Sequence, residues 1–221
     1  MEKPRKIGLF NNKGGVAKTT SVINIAYFLQ KSGYTVLVVD CDMQENCFNF
    51  FLKSQNSDEI LATDYENIFH TTWERYQNAV TEEFDYILFD CPATFSDEVR
   101  TIIRHCDVIY VPTILGEFEI AGLKKVTDEI HTQGTRLGGI FVTMYRPKND
   151  REIIEDFRGI MEEKAMETVI PYSETVRESQ KANLPLEPFF EHKGVPKINK
   201  NSWKIVQAYH DLTSEILRSV G

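Results

Sequence analysis

The sequence has no apolar run approaching the roughly 20 residues that a membrane-spanning helix requires, so a membrane-spanning protein is not expected. Its first residues, Met1-Glu2-Lys3-Pro4-Arg5-Lys6, lead straight into a strand-like segment. They show no apolar stretch with a small-residue cleavage site, so a secretory signal is not expected either. Cysteine is scarce: Cys41, Cys47, Cys91 and Cys106 form no C-x-x-C pair and no metal-ligand spacing. Reduced thiols in a cytoplasmic protein are the expectation, with a metal or iron–sulfur site shared between two copies as the alternative. Internal repeats, low-complexity tracts and linkers are absent, which points away from a solenoid and towards a single domain over residues 1–221. Positive charge is in deficit, with 25 Lys and Arg against 33 Asp and Glu, a net −8. A uniformly acidic surface would repel nucleic acid, because phosphate contacts need Lys and Arg.

The charge is unevenly spread, however. Lys53 to Asp85 holds eight acidic residues against Lys53 and Arg75, whereas Lys193, Lys197, Lys200 and Lys204 lie in a stretch without an acid. An acidic average therefore leaves room for a local basic face. Apolar residues make up 42% and charged residues 26%, ordinary for a globular chain.

The apolar runs alternate in type. Lys6 to Asn11 reads as a buried strand, and Lys18 to Lys31 as a helix with Val22, Ile25, Ala26 and Leu29 on one face. Gly33 can take the left-handed conformation that ends it. Thr35 to Val39 is a β-branched run that ends at Asp40. The pattern continues with strands at Tyr86–Phe89, Val108–Val111, Gly139–Thr143 and Thr168–Ile170. Helices are expected at Glu117–His131, Asp150–Lys164 and Ser202–Ser219. Strands that alternate with helices, and are apolar throughout, predict an α/β fold: a doubly wound, mostly parallel sheet with helices on both faces. Asn46 to Glu83 is the least regular part, with room for one or two short helices. Pro185 to Lys200 reads as an excursion before the last helix.

Between the first strand and the first helix lies Asn11-Asn12-Lys13-Gly14-Gly15-Val16-Ala17-Lys18-Thr19-Thr20. A phosphate loop needs small residues, so that the backbone can wrap an anion. It needs successive N–H groups at a helix N-terminus, a lysine for the β and γ phosphates, and a hydroxyl for Mg²⁺. Gly14, Gly15, Lys18 and Thr19 supply these. The usual G-x-x-x-x-G-K-[ST] pattern fails at both glycines, because Asn12 and Ala17 stand there. A Gly-Gly turn with a lysine in the following helix is the bland alternative. The strand before, the Lys-Thr-Thr and two later aspartates all argue against it.

Lys13-Gly14-Gly15-x-x-Lys18-Thr19-Thr20 resembles the deviant phosphate loop of the ParA/MinD family of ATPases, whose mark is the extra lysine ahead of the glycines. The resemblance implies ATP and Mg²⁺ as cofactors, held by the loop from Lys13 through Gly14, Gly15, Val16, Ala17 and Lys18 to Thr19 and Thr20. It implies that Lys18 acts within its own subunit, that Lys13 reaches a second copy's phosphates, and that Thr19 binds Mg²⁺. A positive charge supplied in trans would couple nucleotide binding to homodimer formation. The family's Asp-x-Asp-Pro-Gln-Gly-Asn is similar to Asp40-Cys41-Asp42-Met43-Gln44-Glu45-Asn46, with Met43 and Glu45 departing from it. By resemblance Asp42 handles the attacking water, and Asp40 supports Mg²⁺ through water. Phe84 to Ala93 resembles the strand that ends in Asp-x-Pro-Pro, with Ala93 for the second proline; Asp90 would hold the Mg²⁺ shell through water.

Later segments fit more loosely. Val142 to Tyr145 and Val169 to Tyr172 resemble the strand ends that flank adenine, which places Met144 and Pro171 beside the base. Few residues precede the loop, as in short members of the family that leave sequence-specific DNA reading to a ParB-like partner. The family also implies non-specific DNA binding by the ATP-bound dimer, hence association with the nucleoid; Arg177, Lys181, Lys193, Lys197, Lys200 and Lys204 are the candidates, a solvated charged face the alternative. The last helix carries Gln207, His210, Asp211, Ser214 and Glu215 on its polar side and so lacks the basic face of a membrane-surface helix. Core packing is expected for it, and membrane association is not. The resemblance as a whole implies a partition ATPase of plasmids or chromosomes. A weakly hydrolysing positioning scaffold and a membrane-associated regulator are the alternatives.

Overall fold

The structure, a computed structural model, describes residues 3–42, 46–51, 60–197 and 200–220. In chain order the elements are β1 (Arg5–Leu9), α1 (Lys18–Lys31), β2 (Val36–Asp40), α2 (Asn46–Phe51), β3 (Leu61–Ala62) and β4 (Ile68–Thr72). Then come α3 (Trp73–Tyr76), β5 (Tyr86–Asp90), α4 (Asp97–His105), β6 (Val108–Thr113), α5 (Glu117–Thr132) and β7 (Arg136–Tyr145). The chain closes with α6 (Arg151–Met161), β8 (Ala165–Pro171), α7 (Thr175–Lys181), α8 (Leu186–His192) and α9 (Lys200–Val220). Among the described residues the strands form one eight-stranded sheet in the order β3-β4-β2-β5-β1-β6-β7-β8. Every pairing is parallel except that of β3 with β4.

The chain runs outward from β1 on one side and, after β5, crosses to β6 on the other. In such a sheet the crevice at the carboxyl ends of the strands, where the order reverses, is the place for a ligand. The strands are buried on both faces, and their residues divide between two cores with a period of two. Val36, Val38 and Leu88 face a cluster filled by α1, α2, α8 and α9. Leu37, Val39, Ile87 and Phe89 face one filled by α3, α4, α5 and α6. Ile205, Tyr209, Leu212 and Ile216 of α9 belong to the first cluster, so this helix spends its apolar face on the core. Its Glu215 accepts the backbone N–H groups of Glu167 and Thr168 at 2.8 and 3.0 Å, which caps part of the exposed edge of β8.

The helix α1 has the bounds its periodicity predicts. Other elements differ for physical reasons. β6 continues through Pro112, which pairs with Phe141 and still offers its carbonyl as an acceptor. β4 adds a parallel strand in the segment read as irregular; His70 and Thr71 break its apolar pattern yet are buried. α4 lies where no helix was expected, although Ser96 caps it by accepting the N–H of Val99 at 3.2 Å. α6 stops at Met161 rather than Lys164, because Glu162 takes a positive φ of 50° and a short 3-10 turn follows. Pro185 to Lys200 contains α8, whose Phe189 and Phe190 are buried.

Candidate functional site

The loop between β1 and α1 is held from two sides. Asn11, 3% exposed, donates from Nδ2 to the carbonyl of Pro112 at 2.9 Å and accepts the N–H of Lys13 at 3.0 Å. Thr143, at the end of β7, directs its hydroxyl towards the carbonyls of Val16 and Thr113, 3.2 and 3.1 Å away. The loop is thereby pinned to β6 and β7. Within it a Cβ on Gly14 or Gly15 would meet nothing within 4 Å, but Gly15 has a φ of +74°. Ala17 also lies in the left-handed region, at φ 64° and ψ 31°, directly before the helix. That is the place at which the general pattern has glycine, and an L-alanine there is strained.

Lys18 is buried, and its Nζ donates to the carbonyl of Lys13 at 3.0 Å. Burial lowers its pKa from the ordinary lysine value, opposed first by the negative charge of Asp90. Lys13 turns the other way: its Nζ meets Glu119 Oε1 of α5 at 2.7 Å. Thr20 accepts from Gln180 Nε2 at 2.9 Å, which ties α1 to α7.

Asp40 and Asp90 are register partners at the ends of β2 and β5. Both are buried, while Asp42 is half-buried and lines the cleft above them. Asp40 Oδ1 accepts the N–H of Asp42 at 3.0 Å, which fixes the start of that loop. Burial pushes the Asp90 carboxyl up to about 7; the Thr19 hydroxyl bonded to it and Lys18 oppose this, and Asp40 and Asp42 add to it. Asp90 Oδ1 is buried and makes no hydrogen bond, a costly condition that a cation or its hydrating water would relieve. Among the described residues no three His, Cys, Asp or Glu converge as a metal cage. Mg²⁺ does not need one, because it keeps several waters and uses few protein ligands. Thr19, with Asp90 and Asp40 behind it, fits such an ion.

Above the loop opens a cleft of about 1150 Å³, ample for a nucleotide. Gly14, Gly15, Lys18 and Thr19 of the loop and α1 line it, together with Asp42, Cys91, Met144, Pro171 and Tyr172. Arg146 stacks on the Tyr172 ring 3.7 Å from its centre. Met43, Gln44 and Glu45 lie outside the described residues, as does the side chain of Asn46.

A model of the CobQ/CobB/MinD/ParA nucleotide binding domain matches residues 7–186. The chain belongs to this family. The chromosome-partitioning ATPase Soj of Treponema pallidum is 25% identical over 222 residues, covering 81% of this chain and 87% of that protein. The chromosome partitioning protein ParA of Myxococcus xanthus is 25% identical over 229 residues, covering 82% and 80%. The fold is similar to that of the septum site-determining protein MinD of Pyrococcus horikoshii, solved with Mg-ADP. The TM-score is 0.77 at 21% identity, over 99% of this chain and 98% of that one. The chain is thus a ParA/MinD-type protein with the sheet and phosphate loop of a P-loop NTPase.

The expected basic residues do not gather at one point of this ParA/MinD-type chain. Arg177 and Lys181 line the nucleotide cleft. Lys197 pairs with Glu191 at 2.9 Å and Glu187 at 3.5 Å, and Lys193 sits over the Phe189 ring. Lys204 lines a separate groove between β8 and α9, and the side chain of Lys200 is outside the described residues. All four cysteines are free and buried, which leaves none at the surface to share a metal with a second copy. Among the described residues no helix is long and apolar enough to cross a membrane. Sequence reading assigned no role to Asn11, Thr143 or Glu119. Their partners lie 101, 127 and 106 residues away, beyond the reach of local pattern.

Proposed function

We propose that this ParA/MinD-type chain acts as a single Mg²⁺-dependent ATPase domain that forms a homodimer around ATP. Hydrolysis would switch it between assembly on DNA and release, in the partition of plasmids or chromosomes. The observation that carries this reading is that Lys18, Thr19 and Asp42 line one cleft at the carboxyl edge of the sheet, with Asp90 buried against Thr19 and Lys18. Lys18 and the loop amides hold the phosphates, where fixed positive charge stabilises charge developing in phosphoryl transfer. Thr19 binds Mg²⁺, and Asp90 and Asp40 orient its waters. Asp42, on a loop braced by Asp40, orients the attacking water. Met144 and Pro171 flank the base, and Lys13 acts on the phosphates of the second copy.

The relatives named as partition proteins support the biological setting. A ParB-like DNA-binding protein is the proposed stimulator, non-specific DNA the surface, and the cytoplasm and nucleoid the location. Arg177, Lys181, Lys193, Lys197, Lys200 and Lys204 are proposed to reach DNA only as two copies are joined. The membrane reading lacks support from α9, whose apolar face is buried. The test is ATP turnover with and without non-specific duplex DNA and a candidate partner. Stimulation by both supports partition, and ATP-dependent dimerisation without any stimulated turnover replaces it with a positioning scaffold.

A further inference from the structure

The ion pair between Lys13 and Glu119 sets the lysine assigned to the partner's phosphates against a carboxylate of its own subunit. The Lys13 Nζ to Glu119 Oε1 distance is 2.7 Å, and the side chains are 36% and 24% exposed. The backbone of Lys13 is fixed at both ends, by Asn11 through its N–H and by Lys18 through its carbonyl. Only its side chain is left to choose a partner. Glu119 lies in the first turn of α5, after Gly116. The hydrogen bond from the Lys13 ammonium holds the Glu119 carboxyl below its ordinary pKa. A lysine so paired is drawn away from a second anion, because the two compete for one ammonium.

We propose that Glu119 is an intramolecular latch on Lys13, which a second copy's bound nucleotide must open before the dimer closes. The inference rests on the trans role of Lys13 given under Proposed function. It predicts how assembly is restrained: each subunit keeps its reaching lysine parked until phosphate charge across the interface outcompetes one carboxylate. The triphosphate carries more negative charge than the diphosphate, so it competes better with the carboxylate for the ammonium. A symmetric dimer opens two latches, and the effect of one is squared in the dimerisation constant. A half-exposed pair restrains an equilibrium by roughly threefold, which makes the expected effect on dimerisation roughly tenfold.

Glu119→Gln is the informative variant. It keeps the length of the side chain and its ability to accept a hydrogen bond at the helix start, but removes the charge. Dimerisation of the full chain is measured by light scattering across a protein dilution series, with Mg²⁺ and a non-hydrolysable ATP analogue or ADP. Wild type, Glu119→Gln, Lys13→Gln and the double variant are compared, with melting temperatures as a control on folding. The expected result is dimerisation of Glu119→Gln at roughly tenfold lower concentration with the ATP analogue, a gap between the two nucleotides at least as wide as in wild type, and a double variant that behaves as Lys13→Gln. If Lys13→Gln is impaired while Glu119→Gln assembles no more readily than wild type, the latch is overturned and the trans lysine stands. If Lys13→Gln assembles as wild type does, the trans role itself fails and the latch falls with it.

Discussion

Asp40 and Asp90 are register partners on adjacent parallel strands, and both carboxyls are buried beneath the phosphate loop. Two acids side by side in a dry place destabilise the protein unless a cation joins them. On the proposed reading, Mg²⁺ bound with the nucleotide offsets this cost. Asp90→Asn is expected to raise the stability of the nucleotide-free chain by about 1–2 kcal/mol and to weaken the Mg²⁺ dependence of nucleotide binding. Denaturant melts with and without Mg-nucleotide measure both, and a loss of stability in the free protein would contradict the account.

Ala17 occupies a left-handed conformation immediately before Lys18. Glycine adopts it without steric cost, though it also loosens the unfolded chain. Ala17→Gly is expected to stabilise by about 0.5–1 kcal/mol and to retain nucleotide binding. Ala17→Val adds a branched side chain at a positive φ and is expected to lower both stability and affinity. Thermal melts and nucleotide titrations of the pair give the comparison.

Thr143 braces the loop through the Val16 carbonyl from 127 residues away. Thr143→Val keeps the shape and removes the hydroxyl. A loss of about 1 kcal/mol in stability is expected, with nucleotide binding weakened several-fold and Lys18 chemistry otherwise unaltered. Equal affinity in the two proteins, measured by calorimetry, would show that the loop holds its form without this contact.

His70 of β4 is 1% exposed, and burial depresses its pKa from 6.5 to about 4, with the positive charge of Arg75 adding to the effect. Between about pH 6.5 and pH 4 the unfolded chain takes up a proton that the folded chain refuses. Stability therefore falls as the pH falls through that window, by about 3 kcal/mol at most. His70→Leu is expected to flatten this part of the pH dependence, read from urea midpoints at several pH values.

The sequence carries the site more clearly than the fold's periphery. The bounds of α1 follow from its apolar spacing, and the strand ends at Asp40 and Asp90 follow from apolar runs that stop at an acid. Local chemistry sets these features, so local pattern reveals them. β4 escaped because His70 and Thr71 are polar residues buried against the sheet's neighbours, where tertiary packing overrides the pattern. The start of α4 was legible in Ser96, which is followed by two acids, a capping signal that a search for apolar periodicity passes over. Asn11, Thr143 and Glu119 were not legible at all, because each acts on a partner that only the closed sheet brings near.

The proposed activity is hydrolysis of ATP in the cleft lined by Lys18, Thr19 and Asp42, with Asp90 buried beside them. Phosphate release from Mg-ATP by wild type, Lys18→Ala and Asp42→Ala, alongside direct nucleotide titration, tests it most directly. The account predicts turnover by the wild type, loss of both binding and turnover in Lys18→Ala, and retained binding with lost turnover in Asp42→Ala. Wild-type protein that binds ATP yet releases phosphate no faster than Asp42→Ala would contradict it.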